Sequence, residues 1–200
     1  MNKKRKILLH SCCAPCSTSV IERLTDFYDI TIIYYNPNIY PEEEYFKRKS
    51  EQIRFIKTLN QKYPEFKVGF LDCDYESEKF YEAVKGLERE PEGGKRCPVC
   101  FRLRLEKVAK LAKNLDFDLF GTTLTVSPHK DAELINMIGE ALQNKYDVKF
   151  LKANFKKGDG YKRSIEISKQ LDLYRQRYCG CEFALKNDTD KLPDEMNRFF

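Results

Sequence analysis

Short apolar segments and longer amphipathic segments alternate along the whole chain. The short segments, rich in β-branched and aromatic residues, predict strands at 6–10, 30–35, 66–71, 117–124 and 147–151. The longer segments carry apolar residues at helical spacing and predict helices at 15–25, 41–62, 76–87, 100–115, 131–144 and 163–176. Strands that alternate with long helices are typical of right-handed crossovers in a parallel sheet. The pattern therefore predicts an α/β fold, a parallel sheet with helices on both faces.

Turn-forming residues separate these elements without marking a second domain. The clearest loop is EREPEGGK at 88–95, where one proline and two glycines come together. A chain of 200 residues suits one domain, and its last segment is polar and acidic. We therefore expect a single α/β domain at 1–185 that contains the functional site, followed by a polar C-terminal tail at 186–200.

Composition indicates a cytoplasmic protein that is not associated with a membrane. Charged residues make up 34% of the chain, and the apolar run at 7–9 is too short for a signal-peptide core or a membrane span. With 42% hydrophobic residues, including 14 Phe and 12 Tyr, the chain can bury a core without disulfides. In such a reducing compartment, clustered cysteines more often bind metal or take part in catalysis.

Eight cysteines form three tight clusters and one single residue: Cys12, Cys13 and Cys16; Cys97 and Cys100; Cys179 and Cys181; and Cys73 alone. Adjacent or nearly adjacent cysteines cannot form unstrained disulfides, because their Cβ vectors diverge. The first cluster directly follows a predicted strand, at the sheet edge where ligands bind in such folds. No glycine-rich phosphate loop occurs there, which argues against a nucleotide triphosphate site. The spacing therefore predicts a metal or redox centre assembled from distant parts of the chain.

Four thiolates would suffice for either zinc or an iron–sulfur cluster. Three observations favour iron. Cys12 and Cys13 cannot comfortably bind one tetrahedral ion but can serve two neighbouring metal centres. The ligands also span the whole chain, whereas structural zinc usually joins one local loop, and they gather at the sheet edge where ligands bind. The C-x₃-C-x₂-C triplet of radical enzymes is absent. The predicted ligands are Cys12, Cys13, Cys97, Cys100, Cys179 and Cys181. Cys16, on a predicted first helical turn that lowers a thiol's pKa, is a ligand, a redox thiol or a packed residue. Cys73 is expected to be a small buried residue.

Basic residues concentrate beside the cysteine pairs. Residues 95–113 contain seven Lys or Arg against Glu106 alone, and residues 151–181 contain eight, with aromatics between them. Such stretches attract a polyanion, although a solvated basic face explains the charge equally well. The candidate phosphate contacts are Arg96, Arg102, Arg104, Lys130, Lys156, Lys157, Arg163, Arg175 and Arg177.

Four segments, in the order LLHSCCAPCS, RCPVCFRLRL, TTLTVSPHKD and YCGCEFAL, resemble the QueH type of epoxyqueuosine reductase. The resemblance covers nearly the whole chain. It implies a cobalamin-independent iron–sulfur enzyme that removes the epoxide oxygen of epoxyqueuosine at the wobble position of tRNA with a GUN anticodon, the last step of queuosine biosynthesis. It also implies a 4Fe–4S cluster with an adjacent mononuclear iron, an external electron donor, and the adenine-nucleotide hydrolase-like (HUP, Rossmann-like) fold.

Reduction of an epoxide to an alkene consumes two electrons and two protons and releases water. The segment SPHKD follows a predicted strand, so His129 and Asp131 are the candidate catalytic residues that supply protons. The alternative for Asp131 is a helix cap, the commonest role of such an aspartate. Two other functions remain open. One is a sulfur-transfer enzyme that thiolates tRNA on the same fold, for which the pyrophosphate loop is missing; the other is a zinc-binding RNA module without catalysis.

Overall fold

Five parallel strands form one sheet in the order β3-β2-β1-β4-β5, which confirms the predicted α/β fold. The structure is a computed structural model that describes residues 4–189, with the side chains of 4–185. Its elements are β1 (Arg5–His10), α1 (Ala14–Leu24), β2 (Tyr28–Tyr34), α2 (Glu42–Lys62), β3 (Gly69–Asp72), α3 (Ser77–Ala83), α4 (Arg96–Asn114), β4 (Leu119–Thr122), α5 (Ala132–Tyr146), β5 (Lys149–Phe150), α6 (Gly160–Gln170) and α7 (Glu182–Thr189). A 3-10 helix, Leu124–Val126, follows β4.

Helices cover both faces of the sheet because successive side chains of each strand point to opposite sides. On β1, Ile7 and Leu9 pack into the core formed with α1, α2 and α6. Leu8 lies between them in sequence but packs into the other core, against α4 and α5. Apolar residues on both faces are the signature of a fully buried parallel strand, and the middle strand β1 meets that description.

Several element boundaries differ from those predicted. Helix α4 begins at Arg96 rather than 100, so Cys97 and Cys100 lie within its first turns. Helix α6 spans Gly160–Gln170 and ends before 176, because Leu171 and Asp172 turn the chain away. Helix α7 was not predicted, and it includes the first part of the expected tail. The remainder of that tail, 190–200, lies outside the described residues.

The carboxyl edge of the sheet is fixed around His10, the last residue of β1. Its Nε2 donates to the carbonyl of Tyr35 at 3.1 Å, and its Nδ1 accepts from the hydroxyl of Thr122 at 3.1 Å. Burial, aided by the charge of Arg104, lowers the pKa of His10 to about 4, so the ring is neutral. A neutral imidazole therefore joins the ends of β2 and β4 to β1, where the strand order reverses and ligands bind in such sheets.

Within residues 4–189, no helix combines the length and the apolar character that a bilayer span requires.

Candidate functional site

The first thiol group, Cys12, Cys13 and Cys16, occupies the turn between β1 and α1. Cys13 is the residue before α1, and Cys16 lies in its first turn, so the three thiols contact one another. Hydrogen bonds from Cys13 and Cys16 hold the pKa of the Cys12 thiol well below its ordinary value. The same bonds and burial raise the pKa of Cys16, contrary to the expectation from its helical position. Cys12 is therefore the thiol of this group that ionises first.

A glutamine on α2 supports the turn that carries these thiols. Gln52 is fully buried, and its Oε1 accepts from the hydroxyls of Ser11 and Ser17, each at 2.9 Å. The Ser11 hydroxyl also lies 3.0 Å from the carbonyl oxygen of Cys13. A second glutamine approaches from the far end of the chain, because Gln176 Nε2 donates to Cys13 Sγ at 3.1 Å. The turn is thus held by side chains from two other segments.

The second thiol group consists of Cys97 and Cys100 on α4 and Cys179 and Cys181 between α6 and α7. All four line one narrow cavity, together with the buried side chains of Phe80 and Arg104. Burial raises the pKa of Cys100 to about 12, partly opposed by Arg104, and burial also raises the pKa of Cys181 and Cys97. The backbone N–H of Gly93 donates to Cys97 Sγ at 3.2 Å. Segments that are 80 residues apart in sequence therefore meet in one site.

Arg104 lies between the two thiol groups. Its side chain is 1% exposed, and its Nε donates to the carbonyl of Cys100 at 3.3 Å. Burial opposes its charge, but interaction with the nearby sulfur groups of Cys100 and Cys12 raises its pKa above the ordinary value. A permanent positive charge is thus placed against both groups, where it stabilises their ionised forms.

An opening of about 60 Å³ leads from Cys97 and Cys179 to the surface; we call it the mouth cavity. Its other lining residues include the predicted segment His129, Lys130 and Asp131. The half-buried Lys130 lies near three sulfur atoms: burial opposes its charge, but interaction with the sulfur groups of Cys179, Cys12 and Cys16 raises its pKa above the usual value. Lys130 therefore lies beside both thiol groups, in the wall of the mouth cavity.

The two predicted catalytic residues lie at the rim of the mouth cavity. The side chain of His129 is exposed. Asp131 precedes α5 and caps it, because its Oδ1 accepts from the backbone N–H of Glu133 at 2.9 Å and of Leu134 at 3.1 Å. The carboxylate of Asp131 thus has a structural partner, and the imidazole of His129 faces solvent beside Cys97 and Cys179.

Arg48 of α2 anchors the turn at 178–181, which carries Cys179 and Cys181. Its Nε pairs with Glu44 Oε1 at 2.7 Å, and its two Nη atoms donate to the carbonyls of Tyr178 and Cys179 at 3.3 Å each. Gly180, at φ 109°, lies against this guanidinium, and an added Cβ would stand 3.0 Å from Nη1. The close approach and the positive φ both require glycine between the two cysteines.

Arg48, Gln52 and Gln176 are functional residues that the sequence analysis missed. A signal existed for the first two, because Arg48 and Gln52 fall on the buried face of α2, in helical register with Tyr45 and Phe55. Polar side chains on an apolar face indicate a buried hydrogen-bonded role. Gln176 carries no such signal, because its segment is irregular.

The predicted phosphate contacts divide by exposure. Arg96 and Arg104 lie inside the protein instead of on its surface, each 1% exposed, and Arg96 donates to the carbonyls of the 87–90 loop. Arg163 pairs with Glu22 at 2.6 Å, and Lys156 donates to the Lys130 carbonyl. The exposed members are Arg102, Lys157 and Arg177. Burial of the first two follows from the face of α4 on which they lie.

The donor chemistry of the second thiol group suits a tetrathiolate centre, either zinc or iron–sulfur. Among the described side chains, those of 4–185, no three His, Cys, Asp or Glu groups adopt the arrangement of ligands around a single metal ion, although Cys12, Cys13 and Cys16 share hydrogen bonds. The buried Nη2 of Arg104, a lining residue of the same cavity, has no hydrogen-bond partner among the described residues. An acceptor within that cavity, such as a cluster sulfur, would satisfy it.

Known proteins match this chain over almost its whole length. The family model of epoxyqueuosine reductase QueH matches residues 7–187. A Staphylococcus epidermidis protein named epoxyqueuosine reductase QueH is 49% identical over 184 residues, 91% of this chain and 77% of that protein. A Thermotoga maritima protein of the same name is 38% identical over 187 residues, 92% and 93% of the two chains. A solved structure, named as a predicted subunit of tRNA methyltransferase from Methanocaldococcus jannaschii, aligns with 84% of this chain and 74% of its own, at a TM-score of 0.46 and 14% identity.

Proposed function

This chain belongs to the epoxyqueuosine reductase QueH family, and from that premise we propose that the epoxide of tRNA-bound epoxyqueuosine is reduced at its two thiol groups. Membership makes it an oxidoreductase of tRNA processing and queuosine biosynthesis. The observation that carries the proposal is the meeting of four thiols in one cavity, two of which, Cys97 and Cys179, also line the mouth cavity beside His129 and Lys130.

We propose that Cys97, Cys100, Cys179 and Cys181 hold a 4Fe–4S cluster and that the first thiol group, Cys12, Cys13 and Cys16, supplies ligands to an adjacent mononuclear iron. When bound, such a centre passes two electrons from an external donor to the substrate, without cobalamin. The four thiols of the second group share one cavity, and the positive charge of Arg104 offsets their negative charge. Reduced thiols of this kind persist in the cytoplasm, where we expect the enzyme to work.

The residues of the mouth cavity have distinct proposed roles in the loss of the epoxide oxygen. As the carbon–oxygen bonds break, negative charge develops on oxygen, and the Lys130 ammonium beside both thiol groups stabilises that charge. Two protons convert the oxygen to water, and His129, exposed at the rim, is placed to deliver them. Asp131 fixes the loop by capping α5 and orients both neighbours.

The activity is tested by anaerobic reconstitution of the protein with iron and sulfide, followed by a chemical reductant and tRNA that carries epoxyqueuosine. The expected result is queuosine, detected as the loss of one oxygen from the nucleoside mass. The same protein without iron serves as the control. A protein with its full complement of iron and sulfide that leaves the nucleoside mass unchanged would contradict the proposed function.

For the tRNA, we propose that the exposed Arg102, Lys157 and Arg177 contact phosphates, together with the partly buried Lys156, Arg163 and Arg175. Each neutralised phosphate releases counterions, so tRNA affinity is expected to fall steeply with salt. The double variant K157Q/R177Q is expected to reduce the slope of log affinity against log salt by about 1–2, because two phosphates are no longer neutralised by these side chains.

The control for this measurement is K57Q, which removes an exposed charge from α2, outside both basic stretches. Filter binding or fluorescence anisotropy over a salt series provides the slopes. Equal slopes for K157Q/R177Q and the unaltered protein would show that these two residues do not bind phosphate.

A further inference from the structure

We propose that Arg104 donates the N–H of its free Nη2 to a sulfur of the bound cluster and thereby makes the cluster easier to reduce. This inference rests on the proposed function and adds a residue that tunes the redox centre. Arg104 was predicted to bind tRNA phosphate, but its burial excludes that role in this structure.

The geometry of Arg104 directs its guanidinium to the second thiol group. The residue lies one turn after Cys100 on α4 and lines the same cavity as the four thiols. Its Nε is occupied by the carbonyl of Cys100, which fixes the plane of the group. Its Nη2 is buried and has no acceptor among the described residues. A buried charged N–H without an acceptor carries its full desolvation penalty, so an acceptor in the cavity is strongly favoured.

Arg96, which lines the same cavity, provides an internal comparison. Its guanidinium is equally buried, but Nη1 donates to the carbonyls of Leu87, Glu88 and Glu90. The Arg96 guanidinium therefore already has its hydrogen-bond acceptors in the loop at 87–90. Of the two arginines that line the cavity, only Arg104 has an Nη atom that is buried without a partner in the described part of the chain.

The effect on reduction follows from charge. A reduced cluster carries one more negative charge than an oxidised cluster, so a buried cation and an N–H donor stabilise the reduced form more. Hydrogen bonds to cluster sulfurs are among the main determinants of iron–sulfur potentials. The low dielectric of the cavity strengthens the interaction. Loss of Arg104 is therefore expected to shift the equilibrium toward the oxidised form.

The test compares the reconstituted full-length protein with R104Q, R104K and R102Q. Iron and sulfide content is measured first, and the midpoint potential is then determined by redox titration monitored by electron paramagnetic resonance, without tRNA. R104Q is expected to raise the ratio of oxidised to reduced cluster at least tenfold at a fixed potential, about 59 mV for one electron. R102Q removes the same charge from the exposed side of the same helix and is expected to leave the midpoint unchanged.

If R104Q does not retain a cluster, R104K is the variant that tests the inference. The lysine ammonium keeps the charge but ends short of the Nη2 position, so its midpoint is expected to shift in the same direction by a smaller amount. If R104Q retains a full cluster and its midpoint potential equals that of the unaltered protein, the inference is overturned. If R104Q retains no cluster, an unchanged midpoint potential in R104K overturns it. If the unaltered protein takes up no iron–sulfur cluster, the proposed cofactor itself is wrong, whereas a reducible cluster insensitive to Arg104 refutes this inference alone.

Discussion

Serine in place of both Cys97 and Cys100 is expected to leave the protein without its iron and sulfide and to abolish epoxyqueuosine reduction. These two thiols supply half of the second thiol group from one helix, and hydroxyl groups are poor ligands for iron–sulfur clusters. The loss is expected to exceed 100-fold, because changes in the outer shell alone cost about 10- to 100-fold in metal affinity or activity. Iron and sulfide analysis after anaerobic reconstitution measures the first effect, and nucleoside mass the second.

Cys73→Ser is the matched control for this double variant. Cys73 is a half-buried thiol that belongs to neither thiol group, and its pKa is raised to about 11 mainly by burial. Its replacement is expected to preserve iron, sulfide and turnover. Circular dichroism separates loss of the cluster from loss of the fold. Full iron and sulfide retention in the C97S/C100S protein would show that the cluster is held elsewhere.

The second large effect is expected for Arg48→Met, measured as a loss in the free energy of unfolding. Arg48 is fully buried and pairs with Glu44 of the same helix, and its two carbonyl contacts join α2 to the turn at 178–181. Removal of one partner from a buried pair costs about 3–5 kcal/mol. We expect the lower end of that range, because Glu44 retains the Tyr174 hydroxyl as a donor at 2.9 Å. Urea denaturation of the reduced, metal-free protein gives the value.

Arg54→Met is the control on the same helix. Arg54 also pairs with a glutamate, Glu51, at 2.7 Å and donates to the carbonyls of Leu171 and Asp172, but its side chain is 48% exposed. Exposed ion pairs are worth about 0–1 kcal/mol, so this variant is expected to lose little stability. A similar loss in the free energy of unfolding for both variants would mean that burial of Arg48 does not determine its contribution to stability.

With R48M we also expect weaker retention of iron, because the turn that carries Cys179 and Cys181 loses its contacts with Arg48.

The sequence was sufficient to predict the architecture. Alternation of strands and helices determines a parallel sheet, and the position of Cys12 and Cys13 after β1 locates the first thiol group at its functional edge. Element ends were harder to predict, because α4 begins directly after the glycine-containing loop and includes Cys97. Local patterns indicate which residues are apolar, but the end of a helix depends on contacts formed by distant segments.

The sequence did not predict which side chains of the site point into the protein and which point to solvent. Arg102 and Arg104 are two positions apart in a basic helix, and only the packing of α4 on the sheet makes one exposed and the other buried. The same holds for Lys130, whose neighbours His129 and Asp131 are exposed while it is half-buried and lies near the thiols. Identical side-chain types in one segment thus acquire different roles from the tertiary structure.

The wide spacing of the thiols along the chain has a consequence for how the protein is made. The last strand ends at Phe150, whereas Cys179 and Cys181 come some thirty residues later. Ribosomes add about 5–20 residues per second, and domains fold from the N-terminus during synthesis. All five strands are therefore available before the final two thiols have been translated. The second thiol group is therefore complete only after Cys181 has been translated, and a chain truncated before 179 would contain every strand of the sheet but only half of that group.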